Sequence, residues 1–182
     1  YLIYGVNSSG KSSFLKSLAL SIIMAQSGLF VAAKNMEFSL YHKLFTRMGN
    51  DDNLFINHSS FVKEMSESKE IIRKADNKSF VIADELCAST EIDSALKIVS
   101  SIVKILSNKK SSFIFATHMF KLVDLTIIRN LDNVKFKHLK VDFKDNLIFE
   151  RILTDGLPSN RQYGAIVAEK VIQDTFFSSL IN

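Results

Sequence analysis

Residues 5–12 read G-V-N-S-S-G-K-S and follow the apolar run Y-L-I-Y at 1–4. The pattern G-x-x-x-x-G-K-[ST], set between a strand and a helix, is a loop for gripping phosphate, and it restricts the fold more than any other feature of the chain. Its glycines let the backbone curl so that successive N–H groups point inward. A helix starting at about Lys11 adds free N-terminal donors and a favourable dipole. Lys11 brings a mobile charge for the outer phosphates, and Ser12 brings a hydroxyl for Mg²⁺. The context fits. Y-L-I-Y reads as a buried strand, and residues 11–28 read as a helix ended by Gly28.

The remaining elements follow from periodicity. Residues 29–48 read as three short strands, L-F-V-A-A, M-E-F-S-L and K-L-F-T-R-M, before the polar loop G-N-D-D-N-L-F-I-N-H. Residues 59–76 form a helical pattern with Phe61, Met65, Ile72 and Ala75 near one face. S-F-V-I-A-D-E is a buried strand ending in two acids. A long amphipathic helix, 91–108, leads to a third buried strand, S-S-F-I-F-A-T-H. V-K-F-K-H-L-K-V-D-F and L-I-F-E-R-I-L flank K-D-N as a hairpin, and residues 163–177 close the chain as a helix. Strands alternating with helices predict an α/β fold of the P-loop nucleotide-hydrolase type. Its sheet is largely parallel, covered by helices, with an antiparallel addition.

A chain of 182 residues can bury one full core, so 1–182 reads as a single domain. The first residue is Tyr1, and the first strand is nearly cut by the terminus, so the domain is expected to be an excerpt of a longer protein. The single Cys, Cys87, excludes an internal disulfide framework and fits a reducing, intracellular compartment. The longest apolar run, L-A-L-S-I-I-M-A, is too short to span a membrane, so no membrane partner is expected. A net charge of +4 is weak support for nucleic acid. Lys135, Lys137 and Lys140 are spaced for the outer, solvated face of a strand.

The second half of a nucleotide engine is F-V-I-A-D-E. Apolar residues drive this strand to the sheet centre, and its acids emerge at the carboxyl end beside the phosphate loop. Asp84 is placed to hold Mg²⁺, and Glu85 to act as general base on a water. His118, ending F-A-T-H, can bond the terminal phosphate or the attacking water. Guanine-specific loops carry N-K-x-D; N-K-S-F at 77–80 and N-K-K-S at 108–111 lack the Asp, so adenine is the expected base. A small-molecule kinase would need a lid with arginines, and the arginines here are scattered. A transporter-type ATPase would carry L-S-G-G-Q, which is absent.

The interval in its place reads F-T-R-M-G-N-D-D and then S-S-F-V-K-E-M. With G-V-N-S-S-G-K-S before it and I-A-D-E and F-A-T-H after it, the chain resembles the ATPase domain of the MutS mismatch-repair family. That family has G-P-N-x-x-G-K-S, F-T-R-I-G, S-T-F-x-x-E-M, D-E and F-A-T-H in the same order. N-R-Q-Y-G-A-I-V-A-E-K at 160–170 echoes a late family pattern. The resemblance implies an ABC-ATPase-like domain that binds ATP and Mg²⁺. Gly5, Asn7, Ser8, Ser9, Gly10, Lys11, Ser12 and Ser13 would hold the nucleotide. Ser12 and Asp84 would hold the metal, and Glu85 and His118 would be catalytic.

Asn7 would order the γ-phosphate or its water. Ser59, at a helix N-terminus, would reach in trans into the site of a second MutS-like subunit, identical or not. DNA would be bound through domains upstream of Tyr1. The resemblance also implies departures. Val6 replaces the family's Pro, and Cys87, Ala88 and Ser89 replace the Gly-Arg-Gly that follows D-E-x. The D-E-L-C stretch looks closer to the organellar and giant-virus branch. The altered loop leaves open a nucleotide-gated binding module with vestigial hydrolysis. An ABC-type ATPase of another kind is the further alternative.

Overall fold

Alternation along the central strands decides the layering. In the computed structural model of this chain, Leu2, Tyr4, Val81, Ala83, Phe113 and Phe115 face one core, while Ile3, Phe80, Ile82, Ile114 and Ala116 face a second on the opposite side of the same sheet. Side chains that alternate along a strand yet are buried on both faces require helices on both faces. The structure describes residues 1–6, 9–48, 57–142, 148–158, 168–169 and 171–181, with main chain alone at 57–60, 142, 148–149, 175 and 181.

The elements are β1 (Leu2–Tyr4), α1 (Lys11–Gln26), β2 (Lys43–Arg47), α2 (Asn57–Lys74), β3 (Ser79–Asp84), α3 (Ile92–Asn108), β4 (Ser112–Thr117), a 3₁₀ turn (Phe120–Asp124), α4 (Thr126–Arg129), β5 (Phe136–Asp142), β6 (Ile148–Asp155) and α5 (Thr175–Ile181). The strand order is β2-β3-β4-β1-β5-β6. All neighbours pair in parallel except β5 with β6, which form the expected antiparallel addition. The largely parallel α/β sheet inferred from the sequence is therefore what the chain forms.

The chain leaves β1 through α1 toward β2 at one edge, and leaves β4 through α4 toward β5 on the other side. The two connections diverge between adjacent strands, which opens a crevice at the carboxyl ends of β1 and β4. Helix α1 packs Leu15, Ala19 and Ile22 on the Ile3 face. Helix α3 packs Ala95, Leu96, Val99, Ile102, Val103 and Leu106 on the other face, where Phe61, Met65, Ile71 and Ile72 of α2 join it. Gly28 ends α1 at φ 73. Leu29 N–H bonds Met24 O at 2.9 Å and Gly28 N–H bonds Ala25 O at 3.1 Å, so the helix's last carbonyls are satisfied.

Three expectations are corrected. Of the three strands expected over 29–48, only Lys43–Arg47 forms. The chain turns at 31–33, where Ala33 N–H reaches Val31 O at 2.9 Å. Tyr41 spends both main-chain groups on Gln26 of α1, donating to Oε1 at 2.6 Å and accepting from Nε2 at 3.2 Å. A segment satisfied by a helix side chain has no groups left for a ladder. Helix α2 starts at Asn57 rather than Ser59. The closing helix is interrupted, because Gln173 sits at φ 52 and Asp174 Oδ1 accepts from Phe177 N–H at 2.7 Å, capping a new helix.

Candidate nucleotide site

Register brings the three motif-bearing strand ends level. Tyr4 pairs with Thr117 and Asp84 pairs with Ala116. Gly5, Glu85 and His118, the following residues, therefore leave the sheet at one edge. The apolar strands ahead of them are buried through Tyr4, Ala83 and Ala116, so burial of the sheet centre is what delivers these groups to the crevice.

Lys11 is the centre of the arrangement. Its side chain is only 4% exposed, and Nζ lies 3.3 Å from Glu85 Oε1. The ammonium also donates to Gly5 O at 2.7 Å and Val6 O at 3.0 Å. A buried charge needs such compensation, and here two carbonyls and a carboxylate supply it. Gly5 has a steric reason to be glycine. A Cβ there would meet Ser9 Oγ at 2.7 Å and Lys11 Cδ at 3.2 Å. Gly10 lies at φ 100 just ahead of α1, a conformation that a side chain strains. Ser9 is buried, and among the described residues its Oγ has no hydrogen-bond partner. Ser12 and Ser13 are exposed on the first turn of α1. Asn7 and Ser8 lie outside the described residues.

The acids take different surroundings. Asp84 Oδ1 is buried without a hydrogen-bond partner among the described residues. A buried, unmatched carboxylate oxygen is a costly arrangement unless a cation or a water completes it. Together with the Ser12 hydroxyl it fits Mg²⁺, an ion that takes one or two protein ligands and the rest from phosphate and water. Among the described residues no group of three or more His, Cys, Asp or Glu offers a metal cage. Glu85 is left-handed at φ 50, and its N–H is stitched to Ala116 O at 2.9 Å. Its carboxylate is partly exposed, and His118 Nδ1 lies 3.8 Å from Oε1. His118 itself is half exposed, behind a turn in which Thr117 Oγ1 accepts from Met119 N–H at 3.0 Å.

Lys11, Glu85 and His118 are thus brought together, with Asp84 on the adjoining strand end. Ser59 falls on the third residue of α2, inside the first turn, where helix N–H groups lack intrahelical partners. Its side chain lies outside the described residues. Two neighbours of the site were not singled out in the sequence. Arg151, at φ 55 on β6, carries side-chain carbons 3.9 Å from where a Cβ on Gly10 would stand. Glu64, in S-S-F-V-K-E-M, is buried and bonded to the turn after Glu85. Nothing in the local sequence pattern singles it out, because its partner is the Cys87 main-chain N–H. The Lys-rich strand behaves as a solvated face: Lys137 pairs with Asp155 at 2.6 Å and Lys140 with Glu150 at 3.0 Å.

Cys87 is buried. Burial, with the Glu64 carboxylate adding to it, pushes its thiol up to about 12. It is no nucleophile at neutral pH. Among the described residues, no helix is long and apolar enough to cross a membrane.

A family model described as MutS domain V matches residues 1–175. The DNA mismatch repair protein MutS of Finegoldia magna is 40% identical over 172 residues, covering 92% of this chain and 20% of that protein. A mitochondrial DNA mismatch repair protein mutS homolog of Sarcophyton glaucum is 34% identical over 179 residues, covering 97% of this chain and 18% of the relative. A DNA mismatch repair protein mutS homolog of Acanthamoeba polyphaga mimivirus is 32% identical over 182 residues, covering 97% and 16%. The chain spans about a fifth of the length of the curated relatives it matches.

Proposed function

The chain belongs to the MutS family, matched over its domain V, and from that premise we propose that it binds ATP with Mg²⁺ and hydrolyses it to switch a DNA-bound dimer. The single observation that carries the reading is the buried Lys11 ammonium held between the loop carbonyls and Glu85. It joins the phosphate loop to a candidate general base.

The loop over 5–13 and the first turn of α1 grip the phosphates with main-chain N–H groups. Lys11 exchanges its carbonyl partners for β- and γ-phosphate oxygens. Ser12 and Asp84 would hold Mg²⁺, which would supply neutralisation of the phosphate charge. Glu85 takes a proton from a water as that water attacks the terminal phosphorus; the bond from that phosphorus to the bridging oxygen breaks, and ADP and inorganic phosphate leave. His118, within reach of the same carboxylate, hydrogen-bonds the terminal phosphate and distinguishes its presence. The order β3-β4-β1 supports an ABC-ATPase-like type, since β4 carries His118 between the acid strand and the loop strand. Ser59 and the free N–H groups at the start of α2 cap the γ-phosphate held by a second subunit. In the whole protein this closure moves the parts that hold DNA in mismatch repair.

The test is turnover by the full chain with Mg²⁺, with ATP preferred over GTP. Mixing Lys11→Ala subunits with Ser59→Ala subunits should restore turnover that neither has alone, because one mixed interface keeps both residues. Failure of the mixture to recover activity would remove Ser59 from its role in trans. A second reading, nucleotide-gated binding with vestigial hydrolysis, is favoured by Cys87 standing left-handed at φ 61 in the altered loop. Tight ATP binding with no turnover in the assembled protein would select it.

A further inference from the structure

The turn that follows the β3 acids is built from residues that resist its shape. Ala88 N–H bonds Glu85 O at 3.2 Å, closing a turn over Glu85, Leu86, Cys87 and Ala88. Cys87 is its third residue, at φ 61. A positive φ at that position is what a type II turn requires, and glycine or asparagine is the usual occupant. Glu85, the turn's first residue, is left-handed as well. Two side-chain-bearing residues in the left-handed region of one short turn persist only where the surroundings over-determine them.

Glu64 is what restrains them from outside the turn. It projects from α2, is 6% exposed, and its Oε1 accepts from Cys87 N–H at 3.0 Å in a buried bond. From within, Leu86 is buried in the α3-side core, and Glu85 N–H is fixed to β4. The turn is therefore pinned to the sheet at one end and to α2 at the other. Charge-assisted bonds of this kind, a carboxylate accepting from a main-chain N–H, are the strong ones. Helix α2 is also tied to the sheet edge by Arg47, whose Nε lies 3.0 Å from Glu67 Oε2. It is thus a stiff link whose first turn carries Ser59.

We propose that Glu64 is a positioning residue for Glu85: by holding the Cys87 amide it fixes the turn that aims the Glu85 carboxylate beside Lys11, and so couples α2 to the hydrolytic step. The proposal rests on the reading of the site as an ATPase. Glu64 touches neither nucleotide nor metal. Its contribution shows in the rate of hydrolysis and not in the grip on ATP.

The experiment uses the full chain in its assembled state and measures ATP turnover and ATP binding separately. Glu64→Ala should lower kcat at least tenfold while Kd for ATP stays within twofold. Glu64→Gln retains an oxygen acceptor for the Cys87 amide and should stay within threefold of the parent. Cys87→Gly removes the steric reason the turn needs restraint, so adding it to Glu64→Ala should recover most of the lost kcat. Should Glu64→Ala fail to fold, Glu64→Asp, which draws the oxygen back by one methylene, should show the same lowered kcat at unchanged affinity. A kcat that depends on Glu85 but is indifferent to Glu64→Ala, or to Glu64→Asp in its stead, overturns the inference alone. A parent chain without Glu85-dependent turnover overturns the reading of the site, and the inference with it.

Discussion

Lys11 Nζ stands 3.3 Å from Glu85 Oε1, its own side chain almost wholly buried and the carboxylate open to solvent on one side. The pairing joins the first turn of α1 to the end of β3 across the intervening strand β4. It also sets different consequences for the two partners. Removing the lysine takes a buried ammonium away from Gly5 O, Val6 O and Glu85, whereas Glu85 can turn to water.

Lys11→Met therefore separates folding from binding. Gly5 O and Val6 O lose a donor, but the buried charge disappears with it and the apolar stem is nearly kept. The stability change should stay below about 2 kcal/mol in urea unfolding, since the lost bonds are offset by the removed desolvation cost. ATP binding, followed by calorimetry, should be lost.

Two glycines should respond in opposite ways to alanine. Gly5→Ala forces a Cβ to 2.7 Å from Ser9 Oγ and against the Lys11 stem, so it should disrupt nucleotide binding. Gly28→Ala meets nothing within 4 Å but stands at φ 73. It should cost about 1–2 kcal/mol from left-handed strain alone, visible as a lower Tm with turnover intact.

Asp84→Asn replaces the unmatched carboxylate oxygen with a neutral group. The Mg²⁺ concentration needed for half-maximal turnover should rise at least tenfold, while ATP binding measured without metal stays within threefold. An unchanged Mg²⁺ requirement would separate Asp84 from the metal.

The Cys87 thiol should ignore alkylating reagents at pH 8 until the chain unfolds. Its folded pKa, about 12, lies above the unfolded value. The protonated thiol thus favours the folded state: its contribution is complete below the unfolded pKa near 8.5 and is lost as pH rises toward 12. Unfolding monitored from pH 8 to 11 in Cys87→Ala and parent chains should show the parent losing more stability over that window.

How much of this was legible in the sequence depends on distance along the chain. The strand, loop and helix around Gly5 and Lys11 follow from local pattern, and so does the emergence of Asp84, Glu85 and His118 from apolar strands. Long-range placement is harder. Nothing local to E-M-S-E-S-K-E marks Glu64 as the one acid turned inward, because its partner is a main-chain N–H in a turn far away in sequence. Nothing in L-F-V-A-A tells that β2 would take the sheet edge and leave Phe30 98% exposed. Apolar character alone does not say whether pairing groups are available. Arg151 reaches Gly10 only because β6 follows β5 back along the sheet, which a scattered arginine does not announce.

The most direct test of the central claim is a rapid-quench comparison of the full chain with Glu85→Gln, both loaded with Mg²⁺·ATP. The account predicts equal ATP affinity and a cleavage rate lower by about 10²–10⁴ in the variant, the span that a positioned general base supplies. Cleavage at the parent rate by Glu85→Gln would contradict it.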